Sequence, residues 1–88
     1  MNAPVIFAVT LDQLSMRQRA SISAIDWDSM SELEGGRLRA LGLDEGVEVE
    51  KVHKGMFGLS DPIALKVGRM MIAIRKSHAS AISVVIPA

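Results

Sequence analysis

The two histidines, His53 and His78, are the side chains best suited to coordinate a transition metal. Imidazole and carboxylate groups form common sites for such metals, including the arrangement of two histidines and one carboxylate. The two histidines fall in different predicted elements, and the sequence contains no His-x-His or His-x-x-x-His spacing. We therefore predict solvated histidines and no dedicated metal site within the chain.

Carboxylates and thioethers offer a second set of candidate ligands. Alternating acidic residues surround one predicted turn and strand, and could hold a divalent cation loosely: Asp44, Glu45, Glu48 and Glu50. Carboxylates in this pattern are usually a solvated strand face. The six methionines carry soft ligands and are predicted to fill the core. The sequence thus predicts no tightly bound cofactor, and at most weak binding of a divalent metal.

The groups needed for catalysis are not assembled by any motif. Ser21 and Ser23 lie on the polar face of a predicted strand, and no histidine is near them in sequence. The glycine pairs Gly35-Gly36 and Gly55-Met-Phe-Gly58 lack the remainder of either phosphate-binding glycine pattern. We predict that the chain is not an enzyme.

One predicted loop is unusually apolar for its class. Residues 55–61 carry Met56, Phe57 and Leu59, with Lys51, Lys54 and Arg69 expected at the rim. These apolar side chains could cap an open end of the fold, or they could form a docking patch for a partner. Both interpretations stay open. The predicted partner-binding residues are Met56, Phe57, Leu59, Lys54 and Arg69.

Composition limits the chain to one small globular domain, predicted to span residues 1–88. Of the 88 residues, 49% are hydrophobic and 23% are charged, which is typical of a folded protein with an aliphatic core. Ten basic and ten acidic side chains give a formal net charge of zero, so we expect no nucleic-acid partner. Cysteine is absent, and no apolar run approaches the roughly 20 residues of a membrane-spanning helix. This composition allows a cytoplasmic location, and we expect no direct membrane insertion.

Alternating hydrophobic residues predict that most of the chain forms short β-strands. Separate strands are indicated by Ala20, Ile22 and Ala24; by Ile63, Leu65 and Val67; by Met70, Ile72 and Ile74; and by Ile82, Val84 and Ile86. Val52 is out of phase with Val47 and Val49, which predicts a β-bulge near Glu50 and Lys51. Turn sequences such as Val67-Gly68-Arg69 separate the strands and favour an antiparallel barrel or sandwich.

A single segment, residues 31–41, has helical periodicity. Leu33, Leu38 and Leu41 are its apolar positions, and Ser31-x-x-Glu34 has the form of a capping box. Gly42 is predicted to be the left-handed residue of a Schellman motif that brings Leu38 and Leu43 together. The glycines at 35 and 36 weaken the first part of this helix.

The order of these elements resembles the FeoA family over nearly the whole chain. The most specific segments are Arg37-Leu-Arg-Ala-Leu-Gly-Leu43, Glu45-Gly-Val-Glu-Val49 and Ser60-Asp-Pro-Ile63. The resemblance implies a mainly β fold, a small antiparallel Src-homology-3-like barrel of five or six strands with one principal helix. A related barrel forms the C-terminal domain of iron-dependent repressors. The chain departs from the family pattern at residues 15–19, Ser-Met-Arg-Gln-Arg, where relatives often place a glycine.

The resemblance also implies a function in ferrous-iron uptake. A FeoA-type protein is a small cytosolic accessory protein, and its expected partner is the cytosolic region of a FeoB-type membrane transporter. A homo-oligomer is compatible with the sequence. The alternative hypothesis is a small metalloregulatory module that binds a divalent transition metal and passes that signal to a regulator.

Overall fold

Six β-strands and two helices make up the computed structural model, which describes residues 7–53 and 62–87. The strands are β1 (Phe7–Thr10), β2 (Arg19–Ile25), β3 (Glu48–His53), β4 (Ile63–Val67), β5 (Met70–Ile74) and β6 (Ile82–Ile86). The helices are α1 (Glu32–Ala40) and the short α2 (Lys76–Ala79), and two single-turn 3₁₀ helices cover Leu11–Gln13 and Trp27–Ser29.

All six strands belong to one antiparallel sheet in the order β1-β6-β2-β3-β4-β5. Its inward face carries an aliphatic core to which strands β2 to β6 each contribute buried side chains, together with Leu11, Leu38 and Leu43. The predicted fold class, a mainly β protein with five or six antiparallel strands and one principal helix, is confirmed, and the number of strands in the described residues is six.

The predicted alternation holds in three of the strands. Ile63 and Leu65 on β4, Ile72 and Ile74 on β5, and Ile82 and Val84 on β6 are buried. In β2 the prediction is wrong at its end, because the register shifts between Ile22 and Ala24. This bulge leaves Ala24 exposed and turns Ile25 into the core.

The predicted bulge in β3 is present, one position further along the chain. Lys51 pairs with Leu65 and His53 pairs with Ala64, so the extra residue is Val52. Lys51 therefore shares the inward face with Val49 and is only 7% exposed. Its ammonium group donates to the carbonyl oxygens of Asp12 (3.1 Å) and Leu14 (2.9 Å). The expectation that Lys51 lies on an exposed rim is wrong, because this lysine ties the 3₁₀ turn to the sheet.

Both ends of α1 follow the predicted capping chemistry. The Ser31 hydroxyl accepts from the Glu34 N–H at 3.1 Å, and the Glu34 carboxylate accepts from the Ser31 N–H at 3.0 Å. At the other end Gly42 has φ +97°, and the Leu43 N–H donates to the Leu38 carbonyl at 3.1 Å. The Gly42 N–H donates to the Arg39 carbonyl at 2.9 Å, which completes a Schellman motif.

Leu33 is the one apolar position of the helix that the sequence placed wrongly. It is 74% exposed, whereas Leu38 is buried. Five positions separate the two leucines, which puts them about 140° apart around an α-helix. Gly35 lies on the buried side instead, where a β-carbon would stand 3.3 Å from the ring of Trp27. The guanidinium of Arg39 covers the same ring at 4.2 Å from its centroid.

Candidate interaction surface

The candidate site begins with the predicted docking residues. Met56, Phe57, Leu59 and Lys54 lie outside the described residues. Arg69 is described, and it is exposed in the two-residue turn, Gly68-Arg69, that joins β4 to β5. Gly68 has φ +59° at the first turn position, as a type II′ hairpin requires.

Two exposed methionines follow Arg69 directly. Met70 is 50% exposed and Met71 is 60% exposed, so the prediction that methionines fill the core is wrong for both of them. Met70 has the inward phase of Ile72 and Ile74, but it lies at the turn, beyond the core. Met71 has the opposite phase and lies on the outer face with exposed Ala73. Met16, in the loop before β2, is a third exposed methionine.

Strand β5 is also the last strand of the sheet. Within residues 7–53 and 62–87 it pairs with β4 alone. An edge strand directs every second N–H and C=O away from its neighbour. The exposed methionines therefore lie along a strand with an outward row of backbone hydrogen-bonding groups.

A groove runs between α1 and the far end of this strand. Its volume is about 280 Å³, and its apolar lining comes from Leu38, Leu41, Ala73 and Ile74. Arg37 and Arg75 add positive charge to its wall, and Glu34 and His78 also line it.

Positive charge accumulates around β5 although the whole chain is neutral. Lys66 lies opposite Met71 on β4, Arg69 precedes the strand, and Arg75 follows it. All ten acidic residues precede Pro62 in the sequence. None of these three cations makes an ion pair with a carboxylate of the described residues.

His78, predicted to be solvated, makes a specific contact instead. Its Nε2, on α2, lies 3.1 Å from the Oε2 of Glu34 on α1, and its side chain is 19% exposed. The Ser31 N–H is the main cause that lowers the pKa of Glu34, and the hydrogen bond to His78 lowers it further. One carboxylate thus both caps α1 and links it to α2.

The other candidate ligands are dispersed. A side-chain hydrogen bond with Glu45 is the main cause that lowers the pKa of Asp44, and the Glu45 N–H, which donates to Asp44 at 2.8 Å, lowers it further. Glu50 pairs with Arg19 across β2 and β3 at 3.5 Å. In the part of the chain that the structure describes, no three His, Asp or Glu side chains are grouped as a metal site. The same part contains no helix long and apolar enough to cross a membrane.

Comparison with known proteins places this fold and sequence in a family. The model of the FeoA domain matches residues 9–86. The chain belongs to the FeoA family. This family is associated with ferrous-iron transport, as the sequence resemblance implied.

Solved structures agree with that assignment. FeoA of Stenotrophomonas maltophilia, crystallised with zinc, is 34% identical with a TM-score of 0.68, over 86% of this chain and 88% of that one. The FeoA protein of Chlorobium tepidum is 26% identical with a TM-score of 0.77, over 91% of this chain and 71% of that one.

The fold extends beyond the FeoA proteins. A manganese-dependent transcriptional repressor is 14% identical with a TM-score of 0.76, and this chain spans 44% of it, so the likeness shows a shared fold. A search of curated protein sequences found no significant match.

Sequence reasoning included Arg69 among the partner-binding residues, which stays a prediction, and it did not include the exposed methionines beside it. The alternation Met70, Ile72, Ile74 correctly indicated a strand, but periodicity does not show where a core ends or which strand lies at the sheet edge. A usable signal was the charge distribution, because four basic residues and no acidic residue follow Asp61.

Proposed function

We propose that this chain is a cytosolic accessory protein of ferrous-iron uptake that docks on the cytosolic region of a FeoB-type transporter. In this role it contributes a binding surface and no catalysis. Membership of the FeoA family supports the process, and the zinc-bound relative from S. maltophilia has itself been proposed to act as an activating factor of ferrous-iron transport.

The observation that carries the docking role is the pair of exposed methionines at the start of β5. Met70 and Met71 are at least half exposed and follow Arg69 on a strand that, within residues 7–53 and 62–87, is paired along one edge alone. Methionine and arginine are enriched at protein interfaces, and methionine adapts its shape to varied partners. Met56, Phe57, Leu59 and Lys54 complete the proposed interface on the sequence argument.

The test is binding of the full chain to the purified cytosolic region of the transporter. Met71→Ser and Phe57→Ala should each weaken binding, by about 2 kcal/mol where the side chain is a buried anchor. Leu33→Ser is the matched control, because Leu33 is equally apolar and 74% exposed on α1. Melting temperatures of all variants separate lost binding from lost folding.

Two outcomes would contradict the proposal. The first is no binding of the parent chain to the transporter region at concentrations up to about 1 mM, which corresponds to roughly 4 kcal/mol of affinity. The second is equal weakening by Leu33→Ser. If Phe57→Ala lowers the melting temperature and the folded protein binds normally, Phe57 caps the fold and the docking surface is confined to β5.

The metalloregulatory alternative predicts that the isolated protein binds ferrous iron. Its best described donors are the paired side chains of His78 and Glu34, which are two of the three or more that a tight site needs. Anaerobic titration of the parent with ferrous iron, repeated with His53→Ala and His78→Ala, distinguishes the two functions. Micromolar binding that either substitution abolishes would favour regulation over docking.

A further inference from the structure

The outer edge of β5 has hydrogen-bonding groups in a defined register. Because Gly68 and Arg69 form a two-residue turn, Val67 and Met70 are the pair that closes the hairpin. In an antiparallel ladder, residues that bond to the neighbouring strand alternate with residues that do not. The N–H and C=O groups of Met71 and Ala73 therefore point away from β4.

The groove beside this edge offers an apolar wall to the side chains of an added strand. It lies between α1 and residues 73–75, with Leu38 and Leu41 on one side and Ala73 and Ile74 on the other. Domains that bind peptides by strand addition use main-chain bonds for affinity and neighbouring pockets for side-chain selection. The edge and the groove together supply both.

The positive charges around β5 favour a binding segment that carries acidic residues. Arg69 and Arg75 flank the strand at positions six residues apart, a span of about 20 Å at roughly 3.4 Å per residue. Arg37 on α1 adds a cation to the wall of the groove, and Lys66 on β4 lies opposite Met71, with Glu50 of β3 as its other cross-strand neighbour. The carboxylate near the groove, that of Glu34, is already bonded to the Ser31 N–H and to His78. An incoming segment with acidic residues near its ends would meet complementary charge.

The same arginines oppose pairing with a second copy. If two copies of the protein paired their β5 strands antiparallel over the full length of the strand, the pairing would be centred on Ile72. Arg69 of one copy would then lie opposite Arg75 of the other. Like charges directly opposite each other destabilise a strand pair. Positive charges at a sheet edge are a known protection against self-association.

We propose that the outer edge of β5 binds an extended apolar segment of a partner protein, flanked by acidic residues about six positions apart, as an added β-strand. The identity of the partner as the FeoB-type transporter rests on the proposed function, whereas the binding mode does not. Arg69 and Arg75 recognise the acidic flanks, and the backbone of Met71 and Ala73 pairs with the segment.

A synthetic peptide tests the binding mode without the transporter. The probe is acetyl-Asp-Val-Thr-Val-Thr-Val-Asp-amide, and the control has Lys in place of both Asp residues. The amides of Met71 and Ala73 should exchange rapidly with solvent in the parent chain and become protected when the Asp peptide binds. The Lys peptide should bind at least tenfold more weakly. Equal binding of both peptides, or unchanged exchange at Met71 and Ala73, would overturn the proposal.

Matched variants test the edge and the charges separately. Ala73→Pro removes an outward N–H, while Ala73→Ser retains it, so the first should abolish peptide protection and the second should not. Arg69→Asp and Arg75→Asp should each weaken binding of the Asp peptide at least fivefold. The control is Arg17→Asp, the same charge reversal in the loop before β2. An equal loss with Arg17→Asp would show an effect of net charge alone and would refute charge recognition at β5.

The transporter experiment keeps the two proposals distinguishable. If the transporter region binds the parent and Ala73→Pro equally well, docking stands and strand addition at β5 is refuted. If the peptide binds as expected but the transporter region does not, β5 accepts strands and the partner assignment fails. Sedimentation of the parent alone covers the remaining occupant, because a dimer that Ala73→Pro dissociates would show that a second copy occupies the edge.

Discussion

At the scale of single residues, Lys51 shows how an inward-facing charge can be part of a core. Its aliphatic stem lies on the same face as Val49, and its ammonium reaches two carbonyl oxygens at the 3₁₀ turn. Carbonyl groups at the end of a helical turn lack partners within the turn, and a cation satisfies them. The lysine thus replaces a hydrophobic residue without leaving buried acceptors unpaired.

Lys51→Met should lower the free energy of unfolding by about 1–3 kcal/mol, because it leaves the carbonyls of Asp12 and Leu14 without these bonds. Lys66→Met, on the exposed face of the adjacent strand, should change it by less than about 0.5 kcal/mol. Urea denaturation of both variants checks the difference. Equal midpoints would show that Lys51 is held by packing of its stem alone.

Arg17 is the second informative residue, because it has φ +64° without being glycine. It lies in the segment where the family often has glycine, and its N–H donates to the Lys51 carbonyl at 2.6 Å. Left-handed backbone strains a residue that carries a β-carbon. The departure from the family pattern therefore coincides with a position where the backbone favours glycine.

Arg17→Gly should raise the unfolding free energy by up to about 1 kcal/mol, since relief of left-handed strain exceeds the extra chain entropy of glycine. Arg17→Ala removes the same side chain and keeps the strain, so it should give no increase. The two melting temperatures, measured side by side, decide between backbone and side chain. A rise in both would attribute the effect to loss of the arginine.

At the scale of elements, α1 is a short helix that depends on its ends. Glu32 and Glu34 lie in its first turn and Arg37 and Arg39 in its last, which complements the helix dipole. Its two glycines are unfavourable in the interior of a helix. The presence of glycine at position 35 is explained by the close approach of the Trp27 ring. Caps and tertiary contacts, more than intrinsic propensity, hold this element.

Gly42→Ala should destabilise the domain by more than 1 kcal/mol, because a β-carbon is strained at φ +97° and the Schellman motif requires that conformation. Gly36→Ala is the matched control. A β-carbon at Gly36 meets no atom within 4 Å, so this change should stabilise the helix by about 0.5–1 kcal/mol. Thermal denaturation measures the loss of stability in Gly42→Ala and the gain in Gly36→Ala. Coincident curves for Gly42→Ala and the parent would contradict the role of the motif.

The link between α1 and α2 should depend on pH through Glu34. Hydrogen bonds in the folded state lower the pKa of Glu34, so the folded protein binds this proton less readily than the unfolded chain does. Its contribution to stability is present above the unfolded pKa of about 4.3 and is lost as pH falls through the lower folded pKa. Glu34→Gln retains an acceptor for the Ser31 N–H without the titration.

The melting temperature of the parent should therefore fall more than that of Glu34→Gln when the pH is lowered from 6 to 3. As far as Glu34 determines it, the difference in melting temperature between the parent and Glu34→Gln should be constant from pH 5.5 to 6. The difference should become smaller at lower pH. Scanning calorimetry at several pH values gives the two curves. Parallel curves over this range would show that the carboxylate bonds do not contribute to folding.

At the scale of the whole molecule, the sheet separates an aliphatic interior from an asymmetric surface. The net charge of the chain is zero, but the charges are unevenly distributed. All acidic residues precede Pro62, and the charged residues of the last strands and of α2 are all basic. The sheet order then places β5, with its exposed methionines and flanking arginines, at an edge. Local charge at such an edge affects association more than net charge does.

Local patterns in the sequence determined much of the fold. The capping box at Ser31 and the Schellman motif at Gly42 were predictable because their bonds join residues within six positions of one another. The strands at Ile63, Ile72 and Ile82 followed from alternation, and the Arg37–Leu43 segment carried the resemblance that the family match confirms. The β-bulge in β3 was predictable because Val47 and Val49 precede the shift in alternation and Val52 is out of phase with them.

Only the tertiary structure decided which strand lies at an edge and which polar residues face inward. Serine stands at the β2 bulge, and a serine fits either strand face, so periodicity carried no sign of the shift. The burial of Lys51 depends on carbonyls more than 30 positions away in sequence, and the contact of His78 with Glu34 joins residues 44 positions apart. Met70 continues the pattern of buried strand residues yet lies beyond the core, because a local period does not record where packing stops.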